Sequence, residues 1–167
     1  MSLPMRFLIG DLKIIALVFA LALLTACSGG QKRTASISLS GSEAALKQTL
    51  YGHYREWASI PYQYGGLSKS GIDCSGFVYL TFAKKLGVHL PRTSDRQAQT
   101  GKPIPQQQLR TGDLVFFNTG PQQHHVGIYI EQRRFLHVST IKGVAISSLD
   151  NQYWSDRYWK SVRVLSS

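Results

Sequence analysis

Two cysteines and five histidines carry most of the nucleophilic and proton-transfer chemistry available to this chain of 167 residues. Cys74 follows Asp73, and Asp73 is a residue type that caps helices. A thiol placed one residue past a cap meets free backbone N–H groups and the positive end of the helix dipole. Both favour a thiolate, so the position predicts a reactive cysteine with a pKa below the free value of about 8.5. A small buried hydrophobe is the other use of such a residue. Ser75 and Gly76 beside it are small, and Gly76 leaves room for a substrate or another strand to approach.

A thiol nucleophile needs a base, and the base needs a group that orients it. His53 falls in a helical stretch and His89 precedes Pro91 by two positions, so both read as surface or packing residues. His124 and His125 open a β-favouring run, and His137 lies inside the next one. A hairpin centred near residue 131 would make His125 and His137 direct cross-strand neighbours, on one face if the register offset is even. A helix carrying Cys74 against that face completes a Cys–His–His row. The same three residues could instead hold zinc with one open position, but neither C-x-x-C nor H-E-x-x-H occurs.

The elements that must position these groups follow from periodicity. Ser40 and Glu43 have capping-box spacing, and Leu46, Leu50, Tyr54 and Trp57 recur at helical intervals. A helix over about 43–58 is expected, stopped before Pro61. Asp73 predicts a second helix reaching about Leu86, closed by Gly87. Phe77, Leu80, Thr81 and Lys84 share one stripe of it, and Val78, Phe82 and Leu86 widen the apolar surface. Past a proline- and glutamine-rich loop, Leu114–Phe117, His125–Ile130, Phe135–Ser139, Val144–Ser147 and Tyr158–Leu165 read as short strands. Glu131-Gln132-Arg133-Arg134 marks a hairpin. Helices followed by a strand meander give an α+β class.

The N-terminus has its own logic. Ile14 to Leu24 is an unbroken apolar run of eleven residues behind Arg6 and Lys13. A membrane-spanning helix needs about 20, whereas this length suits the apolar region of a secretory signal. Leu24-Thr25-Ala26-Cys27 resembles the lipobox of bacterial lipoproteins, in which the cysteine is lipidated and becomes the first residue of the mature chain. Residues 1–26 are therefore expected to be a lipoprotein signal peptide. Residues 27–41 would form the lipidated terminus and a Ser/Gly-rich tether, and 42–167 the domain. Ser28 after the cysteine implies, by the sorting rule of such proteins, the outer membrane facing the periplasm. Net charge is +10; loss of Arg6, Lys13 and Asp11 on cleavage leaves +9. A basic exported chain suits an anionic envelope partner. No nucleic-acid partner is expected in that compartment.

Six motifs then stand in one order. They are Tyr62-Gln63-Tyr64-Gly65-Gly66, Asp73-Cys74-Ser75-Gly76-Phe77, Leu90-Pro91-Arg92, Gly112-Asp113-Leu114-Val115-Phe116-Phe117, His125-Val126-Gly127-Ile128-Tyr129 and Phe135-Leu136-His137-Val138-Ser139. From about residue 43 onward the chain resembles the NlpC family of cell-wall peptidases. The lipobox and the stretch Ser148 to Trp154 resemble a lipoprotein member of that family. The resemblance implies a papain-like α+β fold, with the catalytic helix packed on a small antiparallel sheet. It implies Cys74 as nucleophile, His125 as base and His137 as the orienting third residue. Tyr62, Asp73 and Ser75 match positions at the oxyanion or along the substrate cleft. The implied substrate is the stem peptides or peptide cross-links of peptidoglycan, cut through a thioester. No cofactor or metal is implied, and a monomer is expected. Arg92 and Arg96 read either as partners of substrate carboxylates or as solvated loop residues. Thr111 stands where the family often has proline, a departure that touches only a turn.

If Cys27 is the modified residue, Cys27→Ser leaves the precursor uncleaved and unlabelled by a fatty-acid probe. Pulse labelling followed by gel mobility checks this, and normal processing of the variant contradicts it.

Overall fold

The computed structural model describes residues 39–165. The expected signal peptide, Cys27 and most of the expected tether lie outside them. The first helix, α1, covers Leu39–Trp57. Ser40 therefore lies inside it, and the capping-box spacing does not mark its start. Glu43 is used differently: its Oε1 accepts a hydrogen bond from Thr111 Oγ1 at 2.9 Å. Thr111 Oγ1 also lies 2.7 Å from the Ile130 carbonyl. The residue in the place of the expected proline thus ties α1 to the sheet, and the turn at Gly112, with φ of +90°, is kept.

A two-stranded ribbon of β1 (Leu67–Ser68) and β2 (Gly71–Ile72) leads into α2 (Cys74–Lys85). Asp73 is the N-cap of α2 and Leu86 its C-cap, with Gly87 at φ +68° just beyond, as the residue types predict. Gly76 cannot be replaced without movement. A Cβ there would come 2.7 Å from the Gly66 carbonyl and 3.0 Å from Asp73 Oδ1. A short helix α3 (Ser94–Gln97) and strand β3 (Lys102–Pro103) follow. Next come β4 (Leu114–Gly120), β5 (Gln123–Glu131), β6 (Arg134–Ser139), β7 (Gly143–Ser148), α4 (Gln152–Ser155) and β8 (Tyr158–Arg163).

The six-stranded sheet runs β3-β8-β4-β5-β6-β7, and its pairings are antiparallel. Strands β4 to β7 form the expected meander, and β8 returns to the free edge of β4. Arg163 on β8 locks that edge by a two-pronged bond to buried Asp113, at 2.8 and 2.7 Å. The hairpin between β5 and β6 turns at Gln132 and Arg133, both with positive φ, the geometry that matches strand twist.

The sheet has two differently used faces. Leu114, Phe116, Val126 and Ile128 pack with Val78 and Phe82 of α2 and Leu50 of α1. Further along, Ile130, Leu136, Val138 and Val144 pack with Phe77 and Leu80 of α2 and Trp57 of α1. The opposite face carries Val115, Phe117 and Phe135, covered by Leu149, Trp154 and Tyr158. No helix among the described residues is long and apolar enough to cross a membrane.

His53, read from sequence as a surface or packing residue, is a packing residue. It is 2% exposed and stacks on Phe77 at 5.2 Å. Its Nε2 has no hydrogen-bond partner among the described residues, and burial lowers its pKa despite the nearby Glu56. The unfolded chain therefore takes up a proton that the folded chain resists. Stability from this residue is complete above about pH 6.5 and falls as pH drops below it, by at most about 1.4 kcal/mol per pH unit for one proton. Denaturant midpoints at pH 7.5 and 5.5 should differ less in His53→Phe than in the parent chain. An equal difference contradicts the account.

Candidate active site

Cys74 is the first residue of α2, and its position rests on the carboxylate before it. Asp73 Oδ1 accepts from the Gly76 N–H at 2.6 Å and from Ser75 Oγ at 3.1 Å. Arg92 grips the same carboxylate with both terminal nitrogens, Nη1 to Oδ1 at 2.9 Å and Nη2 to Oδ2 at 2.8 Å. Gly65 N–H donates to Oδ2 at 2.8 Å. Burial alone would raise the Asp73 pKa, but Arg92 and the two backbone donors outweigh it, and the net shift is downward. Arg92 also reaches Ser75 Oγ at 3.0 Å and the Gly66 carbonyl at 3.2 Å. Its guanidinium is thus built into the cleft wall and is not a solvated loop charge. Arg96 is exposed.

His125 and His137 do meet. His125 Nε2 lies 3.0 Å from His137 Nδ1, and His137 Nε2 lies 2.9 Å from Ser147 Oγ. The route to that contact differs from the expected one. Strands β5 and β6 pair Ile128 with Leu136, with a bulge between Tyr129 and Glu131. This register is shifted by two residues from a hairpin centred at 131, so His125 is the diagonal and not the direct neighbour of His137. The shift is even, so both rings keep the same face.

The packing of the helix also differs. His125 and His137 share the face of Phe117 and Trp154, with Trp154 5.1 Å from His125 and 4.9 Å from His137. Cys74 packs with the cluster on the opposite face. The two sides communicate because β5–β6 pairing ends at Ile128 and Leu136. Beyond that point the backbone N–H of Val126, with those of Ser75 and Cys74, favours the charged form of the Cys74 sulfur. Cys74 and His125 open into one cleft of about 580 Å³, also lined by Tyr62, Asp73, Ser75 and Arg92.

Electrostatics in this cleft are set by burial more than by dipoles. Burial pushes the Cys74 thiol up to about 11; the Val126, Ser75 and Cys74 N–H groups pull the other way, and the Asp73 charge adds to the rise. The expected thiolate below the free value is therefore not the resting state. Burial lowers His125 to about 4, and burial with the His125 charge lowers His137 to about 3. Thiol and imidazoles are all neutral at pH 7. Tyr62 is pushed up, first by burial and then by the facing Cys74 and Asp73.

Since His125 Nε2 is engaged with His137, Nδ1 is its nitrogen available to the thiol proton. Among the described residues no three His, Cys, Asp or Glu side chains form a group that could hold a metal ion. Sequence reasoning named the cysteine, both histidines and the cleft residues, and missed Ser147 and the site role of Trp154. A small hydroxyl two residues along β7 from the partner of His137 has no sequence signature. Trp154 did stand out, but only as part of a motif.

Comparison with known proteins agrees with this geometry. Residues 59–163 match the NlpC/P60 family. The chain is 46% identical over 121 residues to the murein DD-endopeptidase MepS/murein LD-carboxypeptidase of Escherichia coli K12, covering 72% of this chain and 64% of that protein. It is 42% identical over 144 residues to the "Probable endopeptidase NlpC" of the same organism, covering 85% and 93%. The chain thus spans a little under two thirds of the first relative and nearly all of the second. Among solved structures, an NlpC/P60 family protein from Bacillus cereus superposes with a TM-score of 0.64 at 30% identity, covering 72% of this chain and 40% of that one. By the extent of the match and by the antiparallel sheet with its helix-borne cysteine, the chain belongs to the NlpC/P60 family.

Proposed function

We propose that the chain is a cysteine peptidase of the cell envelope that cuts the stem peptides or peptide cross-links of murein. The observation that carries this reading is the shared cleft, whose lining includes both the thiol at the start of α2 and an imidazole already hydrogen-bonded to a second one. The relative named as a murein DD-endopeptidase supplies the substrate class. In this reading the protein is held by lipid on Cys27 at the outer membrane, facing the periplasm, and acts as a monomer.

The steps follow from the resting protonation. Cys74 Sγ attacks a peptide carbonyl carbon as His125 Nδ1 takes the thiol proton, so charge is created only as the S–C bond forms. The oxyanion is met by the Cys74 N–H and the Tyr62 hydroxyl. His125 then gives its proton to the leaving amine and the C–N bond breaks, leaving a thioester. Water enters, His125 takes a proton from it, and the hydroxyl oxygen attacks the thioester. The acid leaves, and the proton returns to sulfur. His137 accepts the His125 Nε2–H throughout and fixes the ring. Asp73 and Ser75, joined through Arg92, form the polar wall against which the peptide lies. No step calls for a cofactor.

Digestion of purified murein, with fragments identified by mass spectrometry, tests the assignment. Cys74→Ala should give no fragments, and His125→Ala should lose roughly 10²-fold to 10⁴-fold in rate. His137→Gln should lose less, because an amide oxygen still accepts from His125. Activity should survive a strong chelator. Loss in chelator that zinc restores would overturn the roles of all three residues.

The resting protonation has its own readout. Iodoacetamide alkylation of Cys74 in the free protein should rise with pH and inflect above the free-thiol range, towards 11. An inflection below about 8.5 would mean that a thiolate is preformed.

A further inference from the structure

His125 and His137 each carry one ring proton at neutral pH, because burial keeps both rings uncharged. Two neutral imidazoles joined by one hydrogen bond can be arranged in two ways. If His137 Nδ1 donates, His125 must accept on Nε2 and hold its own proton on Nδ1. That nitrogen then cannot take a proton from sulfur. If His125 Nε2 donates, its Nδ1 is bare and basic, but His137 must then place its proton on Nε2. That proton needs an acceptor inside the protein, because His137 is 1% exposed. Phe135 and Trp154 close around the ring at 5.0 and 4.9 Å and offer no lone pair. Ser147 Oγ sits at 2.9 Å from Nε2.

We propose that Ser147 is a positioning residue of the site: by accepting the His137 Nε2–H it keeps His137 Nδ1 free to accept from His125, and so keeps His125 Nδ1 unprotonated for the Cys74 proton. The inference rests on His125 being the base. The fold places the hydroxyl by register. His137 pairs with Ala145 and Phe135 with Ser147, so Ser147 is the diagonal neighbour of His137 on the same face. A serine hydroxyl can also donate, which would allow the idle arrangement in the resting protein. Once His125 holds the thiol proton it carries two, and its Nε2–H bond to His137 strengthens, as does the bond from His137 to Ser147. In that state only acceptance by Ser147 fits. The chain from His125 through His137 to Ser147 therefore disperses the imidazolium charge inside a site that otherwise opposes it.

Ser147→Thr keeps the hydroxyl, whereas Ser147→Val has nearly the shape of threonine without it, and both suit a strand. Murein cleavage by the full chain should be measured for both and for Ser147→Ala, alongside ¹⁵N spectra of the histidine rings. The expected result is a kcat lowered roughly ten-fold or more in the Val and Ala variants, with KM little changed and Thr near the parent value. The His137 nitrogens should show a proton on Nε2 in the parent and Thr proteins, and a shift of that proton towards Nδ1 in the Val variant. Parent-level kcat in Ser147→Val, or a kcat loss with unaltered ring tautomers, overturns the proposal. His125→Ala measured alongside separates the two readings: activity kept there refutes the base, while activity lost there and kept in Ser147→Val refutes only Ser147.

Discussion

Asp73 is buried, and both of its carboxylate oxygens are engaged. It caps α2 through Gly76, receives Ser75 and Gly65, and is held from outside by the two-pronged Arg92. A buried carboxylate left without these donors would cost several kcal/mol. With them, three otherwise separate pieces of chain are drawn to one point: the loop at Gly65 and Gly66, the start of α2, and the segment at Arg92. Cys74 follows directly, so the position of its thiol inherits the rigidity of this cluster. Gly76 belongs to the same constraint, because the Gly66 carbonyl lies where its Cβ would be.

The second organising feature is a place where pairing stops. From Ile128 to Glu131 β5 is paired with β6, whereas its earlier residues, Gln123 to Gly127, are paired with β4 alone. Where β5 and β6 part, backbone N–H groups lose their strand partners, and in a buried setting they must find others. The Val126 N–H favours a charged Cys74 sulfur. The same parting lets a side chain packed on one face of the sheet work with imidazoles that lie on the other. Trp154 closes the imidazole side, and burial lowers both histidines there, as burial on the other face raises the thiol.

Much of this was legible in order and type. The Asp73 cap, the extent of α2 to Leu86 and Gly87, the strand meander and the hairpin turn at residues 132 and 133 are local matters. They depend on side-chain oxygens that cap, on positive φ at tight turns and on alternation along strands, and all of these act over a few residues. The candidate set of Cys74, His125 and His137 was legible for another reason: six motifs in one order constrain one another.

What tertiary structure decided was everything that depends on distance through space. Ser40 and Glu43 have the spacing of a capping box, yet α1 begins earlier and Glu43 bonds Thr111, a contact across the fold that local spacing cannot show. The turn at Gln132 and Arg133 centres the hairpin beyond residue 131 and the bulge after Tyr129 takes one residue of that shift back, which leaves His125 on the diagonal of His137; periodicity along a single strand cannot show a bulge. Helix-dipole reasoning favoured a thiolate, but desolvation is a property of what closes over a group, and it reversed the sign. Arg92 as the grip on Asp73 and Ser147 as the partner of His137 are side chains brought in from 19 and 10 residues away. The sequence by itself determined which groups could do chemistry and on which elements they ride; the packed fold decided their partners, their protons and their charge, because those are set by neighbours that only folding supplies.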